Sequence, residues 1–322
     1  MKLLSLATFA VAAALAGPAV AQDFPNRAIS IIVPFPAGGI ADSGGRVIAK
    51  GMSANLGQPV VVENKAGAGG IVGAEYVANA KPDGYTLLTA SNGALVSYAY
   101  LFKKLSYQPD KAFTPVHGVS QTPLMIAVRP DAPYKTLAEL IAYAKKNPEK
   151  INYATVGQGS AHHMLAELLQ KEAGIKMTHI PYKGGSQGFV DFLGGSIDVM
   201  IDYQLGIAPL VDSGKAIALG VASTERLSTM PKTPTFTEQG YKSVVVSAFT
   251  LVVAPAATPK PVVDKLAGAV AQLLKDPEVI KYYADRGSQM LTDYGPEKLQ
   301  TFLEQERVKT KQMIEQSGIQ PE

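Results

Sequence analysis

Gly184-Gly185-Ser186-Gln187-Gly188 satisfies G-x-S-x-G between a predicted strand and a predicted helix. That is the context in which a serine becomes an exposed nucleophile, so an exported serine hydrolase using Ser186 is the alternative function to weigh. The hydrolase fold of that motif needs its histidine after the serine, whereas His117, His162, His163 and His179 all precede Ser186. Only a differently ordered triad, through His162 or His179, would then serve. His163 and Glu167 stand i, i+4 on a predicted helix, but no third ligand is clustered with them and H-E-x-x-H is absent, so no metal is expected. Gly67-Ala68-Gly69-Gly70-Ile71-Val72 would need glycine at Val72 to be a dinucleotide fingerprint, and no cofactor is expected. The chain has no cysteine, which removes disulfides and thiolate chemistry together.

Ile31-Ile32-Val33-Pro34-Phe35-Pro36-Ala37-Gly38-Gly39-Ile40-Ala41-Asp42 carries a different chemistry. It reads as a buried strand, a glycine turn and a helix start with no nucleophile in it. Gly38 and Gly39 can turn their amides toward a ligand, and the following helix adds unpaired N–H groups and the positive end of its dipole. A carboxylate or phosphate is the natural guest. The plainer reading of the same residues is an ordinary strand-to-helix turn.

Strands alternating with helices must position that loop. Strands are predicted at Ile29–Val33, Val60–Glu63, Tyr85–Ala90, Leu124–Val128, Ile151–Thr155, His179–Tyr182, Val199–Asp202, Ala216–Ala222 and Val244–Val253. Leu137, Leu140, Ile141 and Ala144, and further on Val262, Leu266, Val270 and Leu273, form amphipathic helical stripes. The alternation predicts a mostly parallel α/β architecture with ligands beyond the carboxyl ends of strands. Ser91-Asn92-Gly93, Val156 to Ser160, Lys183 to Ser186 and Asp202-Tyr203 occupy such exits. Ser160 is the expected N-cap of a helix over Ala161–Ala173 stopped by Gly174, and Ser186 the expected cap of Gln187–Leu193.

Met1-Lys2, the apolar run Leu3 to Leu15 and Ala19-Val20-Ala21 read as a secretory signal over residues 1–21, with the mature chain starting near Gln22. The style is bacterial and implies the periplasm. Thirty Lys and Arg against 27 Asp and Glu give +3, or +2 without Lys2, with no basic cluster, so no nucleic-acid partner is expected. About 300 mature residues suit two domains, and a soluble monomer is expected.

Pro34-Phe35-Pro36-Ala37-Gly38-Gly39 with Asp42 and Arg46, Val61 to Gly70, Pro82-Asp83-Gly84-Tyr85-Thr86-Leu87-Leu88, and Pro181-Tyr182-Lys183-Gly184-Gly185 with Gly194-Gly195 and Asp198 occur in that order. Together they resemble the Bug-type solute receptors, the extracytoplasmic receptors of tripartite tricarboxylate transporters. The resemblance runs from the signal through Gly240-Tyr241 to Asp276-Pro277.

It implies an α/β fold of the type II periplasmic binding protein class, two lobes closing on a ligand. The crossings fall at Gln121–Arg129 and Val245–Ala254; lobe one is 22–120 plus 247–322, and lobe two is 121–246. It implies a receptor, not an enzyme, that captures a small organic acid for membrane permease subunits. The carboxylate would be held by Phe35, Ala37, Gly38, Gly39, Ser91, Asn92, Thr155, Gly157 and Ser160 with ordered water. Asp42 would brace the loop or orient a water, while His162, Tyr182, Asp202 and Tyr203 choose the ligand. An inward Asp202 would favour an ammonium-bearing or protonated acid. No Arg lies at a predicted strand exit of lobe two, which leaves Lys183 as the second charge; Ser43-Gly44-Gly45 departs from the family in being unusually flexible.

Overall fold

A computed structural model describes residues 24–317, so the expected signal segment and the start at Gln22 lie outside the described residues. The apolar run of β1 (Ile29–Val33) is buried and α1 (Ile40–Leu56) covers it with Ile48, Ala49 and Met52. There follow β2 (Val60–Asn64), α2 (Ile71–Ala78) and β3 (Thr86–Ala90), then a π-turn over Gly93–Ser97 running into α3 (Tyr98–Leu101). The long strand β4 (Phe113–Val128) leads to α4 (Leu137–Lys146), whose Thr136–Glu139 capping box and buried Leu137, Leu140, Ile141 and Ala144 fit the predicted stripe. Next come β5 (Asn152–Thr155), α5 (Ala161–Ala173), β6 (Thr178–Pro181), α6 (Gly185–Gly194), β7 (Val199–Tyr203), α7 (Gln204–Asp212) and β8 (Ile217–Val221). The chain returns through β9 (Ser247–Pro255), α8 (Lys260–Leu273), α9 (Pro277–Ala284), β10 (Gln289–Met290) and α10 (Pro296–Ser317).

The strands lie in the order β2-β1-β3-β9-β4-β7-β5-β6, with β8 and β10 paired to β4. Pairing is parallel within β2-β1-β3 and within β7-β5-β6. It is antiparallel wherever β4 or β9 takes part. The mostly parallel expectation is therefore corrected at the centre, where two long strands run against their neighbours and join two lobes. Through Pro123, β4 belongs with β9; from Leu124 onward it pairs with β7 and β8. The other crossing is at Val246, whose amide bonds to Ala222 and whose carbonyl accepts from Leu124.

Only Leu124–Val128 of β4 was legible as strand, because its first half holds Pro115, Gly118 and Pro123 and is bulged near Pro115 and again between Gly118 and Ser120. Bulges break the two-residue alternation that marks a strand. Helix α5 has the expected limits, with Ser160 accepting from His163 N–H and Gly174 in the left-handed region at +64°. Ser186 is not the cap of α6. The cap is Gly184, and Gly185 opens the helix where a Cβ would come 3.0 Å from Asp202 Oδ2. Gly45 is likewise a close-packing residue and not a slack one, since a Cβ there would fall 2.5 Å from Val33 Cγ2.

Candidate functional site

A cavity of about 590 Å³ lies between the lobes, floored by crossing-strand residues such as Ser120, Thr122 and Thr250. Its walls are helix beginnings. Gly38 to Ala41 open α1, Ser160 to His162 open α5, Gly184 to Gln187 open α6, and Tyr203 to Gly206 open α7. Three of these four ends, at Gly39, Gly184 and Tyr203, have no side-chain cap. Their first amides have no carbonyl one turn earlier to accept them, and their dipoles add positive potential to one enclosed space.

The lobe-one loop is held from beneath. Asp42 accepts from Gly38 N at 3.0 Å, Asn64 Nδ2 at 2.9 Å and Arg46 Nε at 3.0 Å, so the Gly38 amide faces its own loop and the amides left for a ligand begin at Gly39. The Arg46 hydrogen bond, with help from Gly38 and Asn64, outweighs burial and brings the Asp42 carboxyl down to about 2. Asn64 also donates to the Phe35 carbonyl. Asn92, on the same wall, has its amide group spent on Ser247 O and Phe249 N, pinning the π-turn to β9.

The lobe-two wall is less satisfied. His162 is 2% exposed and neither ring nitrogen has a hydrogen-bond partner; its Nε2 stands 4.0 Å from Asp202 Oδ1, itself buried. Behind them Ser160 donates to Gly157 O, Gly159 N donates to His163 Nδ1, and Thr155 Oγ1 lies 2.6 Å from His179 Nε2. His163 and His179 stack at 4.3 Å. Burial, and then His179, push His163 down to about 3, while burial brings His179 to about 4, so both are neutral packing groups near pH 7.

Phe35, Ala37, Gly38, Gly39, Ser91, Asn92, Ser160, His162 and Asp202 line the cavity. Asp42, Thr155, Gly157 and Tyr182 stand behind it. Asp42 braces the loop, Thr155 binds the Gly157 amide and His179, Gly157 is where lobe two meets Gly69, and Tyr182 donates to Asp191. Sequence reasoning missed Arg286, Tyr282 and Ser288, which also line the cavity. No local motif marks them; they reach it through packing, with Tyr282 Oη 2.9 Å from Ser43 Oγ. Ser186 lines the cavity too, but among the described residues no hydrogen bond joins it to a histidine. No group of three metal-ligating side chains occurs among the described residues.

The family model for the tripartite tricarboxylate transporter family receptor matches residues 45–319. The UPF0065 protein in the TAR-I ttuE-ttuC' intergenic region of Agrobacterium vitis is 38% identical over 284 residues, covering 88% of this chain and 82% of that one. Among solved structures, the periplasmic binding protein BugD superposes with a TM-score of 0.87 at 37% identity, covering 93% of this chain and 100% of that chain. MatC of Rhodopseudomonas palustris with bound malate gives 0.85 at 33% identity, covering 90% and 100%. The matched family is one of receptors and BugD is a binding protein, which removes the Ser186 hydrolase. The chain belongs to the tripartite tricarboxylate transporter receptor family, as a Bug-type solute-binding protein of the type II periplasmic fold and not an enzyme.

Proposed function

We propose that the chain captures a small organic acid in the periplasm, after cleavage of residues 1–21, and delivers it as a monomer to membrane permease subunits. The observation that carries this reading is the convergence of four helix N-termini on one cavity whose charged lining is Lys183 and Arg286 against a single carboxylate, Asp202. Its volume suits a metabolite-sized ligand. One carboxylate of the acid sits on the amides of Gly39, Ile40 and Ala41, with Ser91 and Ser160 alongside. Lobe two, residues 121–246, closes over it from the side of His162 and Asp202, while 22–120 and 247–322 form the receiving lobe. The malate held by MatC supports a carboxylate guest.

Closure excludes water and strengthens each amide contact, and the closed form is what the permease reads. A ligand that binds only the folded chain adds about 2.7 kcal/mol at 100 times its dissociation constant. Thermal melting of the mature chain against a panel of mono-, di- and tricarboxylates tests this. One class of acid should raise the melting temperature, and a flat panel overturns the reading.

A further inference from the structure

The C-terminal helix α10 is rooted in lobe one and ends on lobe two. Near its start Leu299 and Leu303 are buried in the cluster that holds Ile32, Leu88 and Leu251. In its last turns Met313 packs on the lobe-two cluster of Leu165, Leu169 and Val199. The neighbouring Ile314 is buried with Met164 of α5 and Leu101 of α3 in a small cluster of their own. At 22 residues the helix is about 33 Å long, enough to lie across both lobes.

A second contact lies beside it. Ser97, buried at the end of the π-turn in lobe one, donates through Oγ to the Gly159 carbonyl in the loop before α5. Gly159, at φ +71°, has no room for a Cβ, which would fall 2.4 Å from Leu101 Cδ1. Its N–H is held by its own lobe, donating to His163 Nδ1. Ser97, Leu101, Gly159, Met164, Met313 and Ile314 all stand outside the cavity lining. They join the lobes away from the crossing strands and away from the ligand space.

A directional hydrogen bond and a buried apolar contact between two bodies that rotate as units favour one of their relative positions. The position seen is the closed one. At the cleft rim a Cβ on Gly184 would lie 3.6 Å from Pro36 Cδ, and one on Gly157 would lie 3.4 Å from Gly69 Cα.

We infer that α10 is a strap on closure: Met313 and Ile314, with the Ser97–Gly159 hydrogen bond, keep part of the ligand-free chain closed and so set affinity without touching ligand. This goes beyond the receptor reading, since it needs two lobes that close and no particular acid. A strap of this kind tightens every ligand by one factor, because apparent affinity scales with the population of the binding-competent form.

The chain has no cysteine, so Val61→Cys on β2 and Val190→Cys on α6, both exposed and on opposite lobes, can carry a spin-label pair. Double electron–electron resonance on the ligand-free mature chain should show a short and a long distance. Ile314→Ala and, separately, Ser97→Ala should move population to the long one, while Ile314→Leu, which keeps the bulk, should retain the wild-type distribution. In calorimetric titrations with malate, succinate, adipate and citrate, Ile314→Ala should weaken every acid that binds by one common factor of about ten, at a temperature where melting shows the variant folded.

An unchanged distance distribution in Ile314→Ala, or a wild type with only the long distance, overturns the inference. Tighter binding by Ile314→Ala would make the helix a brake on closure and overturns it too, as does a loss confined to some acids, which would put these residues in the site. If no acid binds at all, the receptor reading falls and the ligand-free distances still decide the strap.

Discussion

The two walls of the cleft are built on opposite plans. In lobe one, Asp42 accepts three hydrogen bonds and Asn64 and Asn92 spend their amides on backbone, so the loop is complete before any ligand arrives. In lobe two, a buried His162 faces the cavity with both nitrogens unpartnered beside a buried Asp202. A prepaid loop binds at little reorganisation cost, whereas an unsatisfied wall gains most when the ligand supplies what it lacks. On the proposed function, lobe one is the general cradle and lobe two the discriminating side.

Acid should separate the walls most strongly. His163 and His179 are depressed from about 6.5 to about 3 and about 4, so their contribution is fully present above pH ~6.5 and is lost as pH falls toward 4. His179 alone accounts for roughly 3 kcal/mol. Asp42, lowered from 3.8 to about 2, keeps its contribution until pH falls below about 4. Hydrogen exchange at pH 5 should show α5, β5 and β6 losing protection while β1 and α1 hold theirs; simultaneous loss would break the comparison.

Asp42→Ala should cost about 2 kcal/mol in urea unfolding, because Gly38 and Asn64 lose their acceptor while Arg46 returns to water. Affinity should fall with it, and unchanged stability would show that the loop does not depend on this carboxylate. Gly39→Glu should weaken binding about tenfold or more by setting a charge beside the bound anion. Gly39→Ala should do less, since φ is −83° and the nearest atom to a Cβ is Pro36 O at 3.5 Å. Wild-type calorimetric affinity in both would move the site elsewhere. The smallest effect on folding is expected for His162→Leu, which removes two unsatisfied nitrogens: ligand-free melting should stay level or rise, while affinity for the acid drops several-fold. A large loss of ligand-free stability would mean that the imidazole already has a partner.

Much of this contrast was legible where local rules govern. The limits of β1, the capping of α5 by Ser160 and Gly174, and the bracing carboxylate at Asp42 follow from residues within a few positions of one another. What escaped was set over distance. Ser186 lies inside α6, whose cap is Gly184, and the Asp202 carboxylate that closes on Gly185 is brought there by β7. The first half of β4 was hidden by its own bulges. Arg286 was invisible because its place comes from Ser43, Thr122 and Gln204, none near it in sequence.

The return of the chain through β9 also dictates an order of assembly. Because β9 inserts between β3 and β4, pairing Leu88 with Val253 and Gln121 with Phe249, the first lobe cannot finish its sheet until β9, and β10 after it, have emerged. The β5–β8 region is contiguous and can collapse while β1 to β3 wait with an open edge. Contacts of such long sequence separation make folding slow, and an unpaired strand edge is exposed to aggregation in the interval. The strand that lets one lobe be entered twice thus ties β3, early in the chain, to a partner that arrives late in it.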